Sequence, residues 1–334
     1  MTRNSRPLFL PPLALLAAVI VSPAARASDG QGLRYSQRAD VQAFMTEMES
    51  KHDFPETWLT RQFDAAEFQP SVIKYILPPS KPGVRSWQSY RSRFVEPKRI
   101  AAGLAFWQQN AAMIKRASAQ YGVPEEIIVA IIGVETIYGR NVGDFETFSA
   151  LTTLAFDYPP RAPLFRGQLE ELLLLAREEG RSPQSYVGSF AGALGLPQFL
   201  PGSIRRYAVN YDGDDSVDLS EPGDAIGSVA NFLAAHGWVK DGPILAPAQI
   251  DDSAAAPLLA LGIEPQKRPQ EMPGLVVKPG TPDQPAALID LVTPNQPTEY
   301  RLGYRNFYVI TRYNRSSFYA SAVNDLAAAL RARR

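Results

Sequence analysis

The run from Ile127 to Tyr138 holds almost nothing but apolar side chains, and it constrains the fold more than any other feature of the chain. Gly122-Val123-Pro124 opens it as a helix, with Glu125 and Glu126 at the positive end of the dipole, and Gly139 closes it. A helix that is apolar on nearly all sides must be wrapped by other elements. The flanking sequence supplies helices for this: amphipathic patterns cover Asp40 to Lys51, Arg99 to Tyr121, Pro163 to Glu179, Asp224 to Gly237 and Ser317 to Arg331. The expected fold class is therefore mainly α.

Proline marks where that pattern ends. Residues 241–300 carry 11 of the 29 prolines, interleaved with β-leaning runs at Leu275-Val276-Val277-Lys278 and Ala287 to Val292, so continuous helices are excluded there and a small β-rich module is expected. Phe307-Tyr308-Val309-Ile310-Thr311 reads as a further strand. At the other end, Arg3 and Arg6 precede a short apolar stretch, Leu8 to Val21, and Ala25-Arg26-Ala27 has the small-x-small form of a cleavage site. The stretch holds two prolines and falls short of the ~20 residues of a spanning helix. Residues 1–27 thus read as a signal peptide, leaving no membrane anchor after cleavage. The rest divides into a mixed helical region at 28–100, a helical core at 101–240, the Pro-rich module at 241–300 and a C-terminal return at 301–334.

Composition narrows the chemistry. Lys and Arg number 34, Asp and Glu 34, so no concentrated positive field is available and a nucleic-acid partner is not expected. There is no Cys and only two His, His52 and His236, which removes thiolate metal sites, Cys nucleophiles and polyhistidine centres. His236 reads as a cation at a helix C-terminus. Catalysis must rest on carboxylates, hydroxyls, amides or one of those two His.

One carboxylate stands out. Glu135 is the only acid of the apolar helix after its first turn, with Ile128, Ile131, Ile132 and Tyr138 at helical spacing around it. Such neighbours desolvate a carboxyl and raise its pKa toward the range of a general acid near neutrality, as protonation of a glycosidic oxygen requires. A plain structural role, paired with an Arg such as Arg140, is the alternative. Glycoside hydrolysis also demands a second carboxylate, and Asp144 and Asp157 both read as loop or cap residues. Farther on, Asn210-Tyr211-Asp212-Gly213-Asp214-Asp215-Ser216 repeats oxygen-bearing side chains at alternate positions, as a calcium-binding EF-hand loop does, with Glu221 or Asp224 as the closing acid. Asp215 stands where that motif takes Gly.

Ile132-Gly133-Val134-Glu135-Thr136, the Gly188-Ser189-Phe190-Ala191-Gly192-Ala193-Leu194-Gly195 run with Pro197-Gln198-Phe199, and Asp224-Ala225-Ile226-Gly227-Ser228-Val229-Ala230-Asn231 together resemble the lytic murein transglycosylase B family. The likeness runs from about Tyr90 to Trp238 and returns at Ile310-Thr311-Arg312-Tyr313-Asn314. It implies a lysozyme-like helical catalytic core with an EF-hand-like calcium loop, in a soluble periplasmic enzyme acting on peptidoglycan glycan strands. The reaction it implies is cleavage of the MurNAc–GlcNAc bond with formation of a 1,6-anhydro end, and Glu135 matches the single acid/base. Tyr90, Ser189, Gln198, Tyr313, Asn314 and Tyr319 match substrate-contacting positions. Structural calcium would be held by Asn210, Asp212, Asp214, the Ser216 carbonyl and Asp224, which favours the longer loop over Glu221. Leu164 departs from an aromatic of the family, and Leu196-Pro197 from a more flexible pair. Two rival readings remain at this point: a hydrolytic muramidase using Asp144 or Asp157, and a noncatalytic calcium-dependent peptidoglycan-binding protein.

Overall fold

The structure is a computed structural model that describes residues 34–77, 83 and 85–334. The signal peptide expected at 1–27 lies outside the described residues. Helices lead up to the central one as α1 (Ala39–His52), α2 (Glu56–Ala65), α3 (Pro70–Ile76), α4 (Trp87–Ser92), α5 (Pro97–Gln109), α6 (Ala111–Tyr121) and α7 (Glu125–Thr136). Beyond it come α8 (Thr147–Phe156), α9 (Ala162–Glu178), α10 (Pro201–Tyr207), α11 (Pro222–Ala235), α12 (Asp252–Leu259), α13 (Arg305–Tyr313) and α14 (Ser317–Arg331). Two short strands, β1 (Phe145–Glu146) and β2 (Val187–Gly188), pair antiparallel. A three-stranded antiparallel sheet has the order β3 (Leu245–Ala248), β5 (Glu299–Gly303), β4 (Ala287–Leu291).

The apolar helix is the axis of the molecule. Every residue from Glu126 to Val134 is buried, and α5, α6, α11 and α14 pack around α7. Each fully buried Ile or Val contributes about 1.5–3 kcal/mol relative to exposure, which fixes this helix at the centre. At its start Glu125 accepts hydrogen bonds from Trp107 Nε1 at 2.9 Å and from Arg334 at 2.6 Å, and Glu126 pairs with Arg331, so the last turn of α14 is tied to the first turn of α7. β4 shows the period of two: Ala287, Ile289 and Leu291 join the main core, while Leu288 joins a second cluster with Leu258, Met272, Leu302 and Tyr304.

Three expectations are corrected. Phe307 to Thr311 is not a strand but the middle of α13. Its β-branched composition is overridden by burial at helical spacing, of Phe307 with Ile310 and of Asn306 with Val309 and Ile310, and by the Asn306 side chain, which bonds Val239 N at 2.8 Å and the carbonyls of Val239 and Gly242. The single helix expected over Arg99 to Tyr121 is broken at Asn110, whose Nδ2 donates to Phe106 O at 2.9 Å and closes α5. Leu275 to Lys278 forms no strand; Val276 and Val277 stay exposed between Pro273-Gly274 and Pro279.

Candidate active site

Glu135 sits in the last turn of α7, where the chain leaves the helix by three successive left-handed residues: Ile137 (φ 53°), Tyr138 (φ 59°) and Gly139 (φ 87°). For the two that carry side chains this costs of order 1–3 kcal/mol each and persists only where the surroundings force it. They do. The Tyr138 ring is wedged between Gly103 of α5 and Gly133 of α7, at either of which a Cβ would overlap its hydroxyl, and it packs on Phe106 with centroids 5.3 Å apart. The buried Arg99 guanidinium donates to Gly133 O, and Thr136 Oγ1 accepts from Gly139 N at 3.0 Å. The acid is thus carried on a helix end that is locked from three sides.

The Glu135 carboxyl accepts one hydrogen bond, from Tyr319 Oη at 2.5 Å, and among the described residues no Arg, Lys or His forms an ion pair with it. The structural pairing with Arg140 is not made; Arg140 is exposed. Burial pushes the Glu135 pKa from 4.5 to about 7, and the Tyr319 bond pulls only partly against that. A carboxyl in that state is a proton donor and acceptor near neutrality.

The C-terminal return closes over this group. Ser316 caps α14 by accepting from Tyr319 N at 3.2 Å, which sets Tyr319 in the first turn, facing Glu135. Tyr313, at the end of α13, lies nearly parallel to Tyr319, with 14° between ring planes and 6.4 Å between centroids, and its hydroxyl donates to Pro197 O at 2.6 Å. Burial and the Glu135 charge raise both phenols well above their ordinary pKa, so they remain neutral. Glu135 also acts on Tyr90, whose phenol is raised by burial and then by that charge, and whose ring packs on Phe318, 5.6 Å between centroids. Asn314 is exposed and its side chain makes no hydrogen bond among the described residues.

The opposite wall is the Gly-rich run. Gln198 has φ 51°, and its Nε2 donates to Val142 O at 3.1 Å and Gly195 O at 3.0 Å, which orients the amide with Oε1 turned away from both carbonyls. Ser189 Oγ accepts from Ala193 N at 3.0 Å in a tight turn. Gly143 lies so close to Gly188 and Ser189 that no side chain fits between them. Thr136 joins this wall to α7 by donating to Leu196 O at 3.0 Å, a role that sequence reasoning did not assign. A buried hydroxyl at the end of an otherwise apolar helix is the signal that marks it, as a lone carboxylate marks Glu135.

The candidates for a second carboxylate are placed by their partners. Asp157 accepts from Tyr35 Oη and from Arg38, both at 2.6 Å, and caps the end of α8. Asp144 is exposed.

Over most of its length the chain matches known proteins. Residues 36–328 match the family described as transglycosylase SLT domain. The membrane-bound lytic murein transglycosylase B of Escherichia coli (strain K12) is 39% identical over 308 residues, 89% of this chain and 84% of that protein. The chain belongs to the transglycosylase SLT domain family. Its fold and class of activity are those of a lytic transglycosylase. The catenated lytic transglycosylase SltB1 of Pseudomonas aeruginosa superposes with a TM-score of 0.84 at 43% identity, over 90% of this chain and all of that one. The Escherichia coli lytic transglycosylase Slt35 in complex with calcium superposes with a TM-score of 0.76 at 38% identity, over 89% of this chain and 94% of that one.

The loop from Asn210 to Asp224 lies between α10 and the first turn of α11. Asn210 Oδ1 accepts from Gly213 N at 3.0 Å, Asp212 Oδ1 from Asp214 N at 3.2 Å and Asp214 Oδ1 from Ser216 N at 2.7 Å. The buried Asp224 accepts from Tyr211 N at 2.6 Å and Asp218 N at 2.7 Å, drawing the two ends of the loop together. Among the described residues no three His, Asp or Glu side chains converge on one point. The donor set is oxygen alone, which suits a hard cation, while the carboxylates shown here are spent on loop N–H groups.

Proposed function

We propose that the chain cleaves the β-1,4 bond between MurNAc and GlcNAc in peptidoglycan and leaves a 1,6-anhydro-MurNAc end, with Glu135 as its single acid/base. The observation that carries this is a desolvated carboxyl with, among the described residues, no cationic partner and no second carboxylate committed to it. Glu135 protonates the glycosidic oxygen as the C1–O bond breaks, and the substrate's own 2-acetamido carbonyl stabilises the positive C1. The Glu135 carboxylate then takes the proton of the muramic acid C6 hydroxyl as that oxygen bonds to C1. The first proton leaves with the GlcNAc hydroxyl, the C6 proton replaces it on Glu135, and no water is consumed. Gln198 Oε1 and Asn314 suit acetamido and peptide hydrogen bonds, Ser189 a further polar contact, and Tyr90 and Tyr313 the sugar faces, while the buried Tyr319 ring acts through its hydroxyl on Glu135. Mass spectrometry of fragments released from sacculi tests the reading: the anhydro product lacks one water, and a hydrolytic product would replace this mechanism by a muramidase.

Two substitutions probe the wall. Tyr319→Phe keeps the ring but removes the bond that holds the Glu135 pKa down, so the alkaline limb of the kcat/KM profile should move to higher pH. Asn314→Ala should lower turnover on sacculi with a change in stability within about 0.5 kcal/mol, since the side chain has no partner to lose.

Calcium on Asn210, Asp212, Asp214, the Ser216 carbonyl and Asp224 would draw the acids of this loop together and stabilise the fold, away from bond cleavage. A ligand of the folded state present at 100 times its Kd adds about 2.7 kcal/mol. Calcium should therefore raise the Tm, and Asp214→Ala with Asp224→Ala should remove the rise. Unchanged stability on calcium removal, with activity lost, would overturn the structural role. The reading also includes export to the periplasm by residues 1–27, for which cleavage near Ser28 is the check.

A further inference from the structure

Among the described residues, the only aromatic rings that stand largely in solvent are Phe68 and Tyr75, 53% and 56% exposed, and both lie on one short segment. That segment is not loose. Glu67 N donates to Ser149 Oγ at 3.0 Å, and Gln69 N to Thr153 Oγ1 at 3.0 Å, pinning the entry to α3 along α8. Apolar side chains exposed together, unlike single scattered ones, mark binding surfaces.

Tyr75 is the outer member of a three-ring cluster. It meets Phe145 edge-on, with centroids 6.0 Å apart and 88° between planes, and Phe190 at 5.7 Å and 47°. Phe145 opens β1 and Phe190 directly follows Ser189, so the cluster is built on the same strand pair and turn that form the Gly-rich wall. The connection inward is continuous: Gly143 packs against Ser189, Val142 receives the Gln198 amide, and Leu196 receives Thr136, the neighbour of Glu135.

We propose that Tyr75, Phe145 and Phe190 form an aromatic platform that takes distal sugars of the glycan strand, beyond those held around the cleaved bond. The proposal rests on the function proposed above and extends its substrate to a longer strand. A pyranose offers an apolar C–H face that stacks on an aromatic ring, and a polymer already held at the reacting bond carries further such faces along its length at little added cost of association. Tyr75 suits this end of the site because its ring is apolar and its hydroxyl stays in water.

The test compares two substrates with Tyr75→Ala and Tyr75→Trp: intact sacculi, and a purified peptidoglycan tetrasaccharide, which offers few sugars beyond those at the cleaved bond. Tyr75→Ala should lower kcat/KM on sacculi by about five- to tenfold, the size of one lost aromatic contact, and leave the tetrasaccharide within about twofold. Tyr75→Trp should restore the sacculus activity. Equal loss on both substrates, a marked fall in Tm, or no loss on either would overturn the platform, the last two pointing to a structural ring or to a protein occupant. Wild-type protein that released no anhydro product would instead sink the underlying function, and the two failures are thereby distinct.

Discussion

Glu135→Gln should reduce the release of anhydro products from sacculi by about 10²- to 10⁴-fold, the usual contribution of general acid/base catalysis, and should at the same time make the protein more stable above neutral pH. The activity loss follows because the amide keeps the shape and the bond from Tyr319 Oη but carries no transferable proton. The gain in stability follows from linkage. The folded-state pKa of Glu135 lies near 7, above the 4.5 of an exposed Glu, so the folded protein holds this proton more tightly than the unfolded chain. The stabilisation from that proton is fully present below about pH 4.5 and is lost as pH rises through 7. At pH 8 the wild type must therefore keep a buried carboxylate with one hydrogen bond and no cation. Gln removes that burden, and a shift of this size corresponds to at most about 3 kcal/mol. Urea denaturation of both proteins at pH 4 and pH 8 checks the sign: the difference in midpoint should grow with pH. Near-normal turnover by Glu135→Gln would remove the residue from the mechanism, and an unchanged difference between the two pH values would show that its carboxyl is not desolvated.

The same two properties explain what was legible in the sequence. A helix buried on all sides needs no phase to be recognised, so α7 and its lone acid stand out from composition alone, while its end at Thr136 falls three residues before the Gly139 that the sequence offers as a stop. The site is assembled from distant segments, and there local reading weakens. Phe307 to Thr311 has the composition of a strand, and only the packing of α13 and the clamp of Asn306 on Val239 make it a helix. Tyr319 is placed against Glu135 by the Ser316 cap and by the pairing of α14 with α7, neither of which is visible in the spacing of the two residues. The family resemblance carried those positions where periodicity could not. Tyr75 escaped both routes, since an exposed aromatic on a short helix looks like any other surface residue until its neighbours across β1 and β2 are known.

Gly133→Ala should destabilise the protein and impair catalysis together, although alanine is the better helix former by about 1 kcal/mol. Gly133 lies two residues before Glu135 in the interior of α7, and an ideal Cβ there would overlap the Tyr138 hydroxyl and lie 2.5 Å from ring carbon Cζ. The ring cannot retreat toward α5, because Gly103 lies against its other side and Leu330 fills the space beyond, 2.7 Å from where a Gly103 Cβ would be. Overpacking of this kind costs about 1–3 kcal/mol. The strain has one outlet. Tyr138 follows Ile137 in a left-handed turn that begins two residues after Glu135, so displacement of the ring is passed to the helix end that carries the carboxyl. A double-mutant cycle isolates the wedge. Tyr138→Ala alone should destabilise by leaving a cavity beside Phe106, but in that background Gly133→Ala should become stabilising, since the clash is gone and the helix propensity remains. Reversal of sign is the result that only direct contact predicts. If Gly133→Ala costs the same with and without the Tyr138 ring, the glycine is needed for some other reason and the wedge does not hold the catalytic helix end in place.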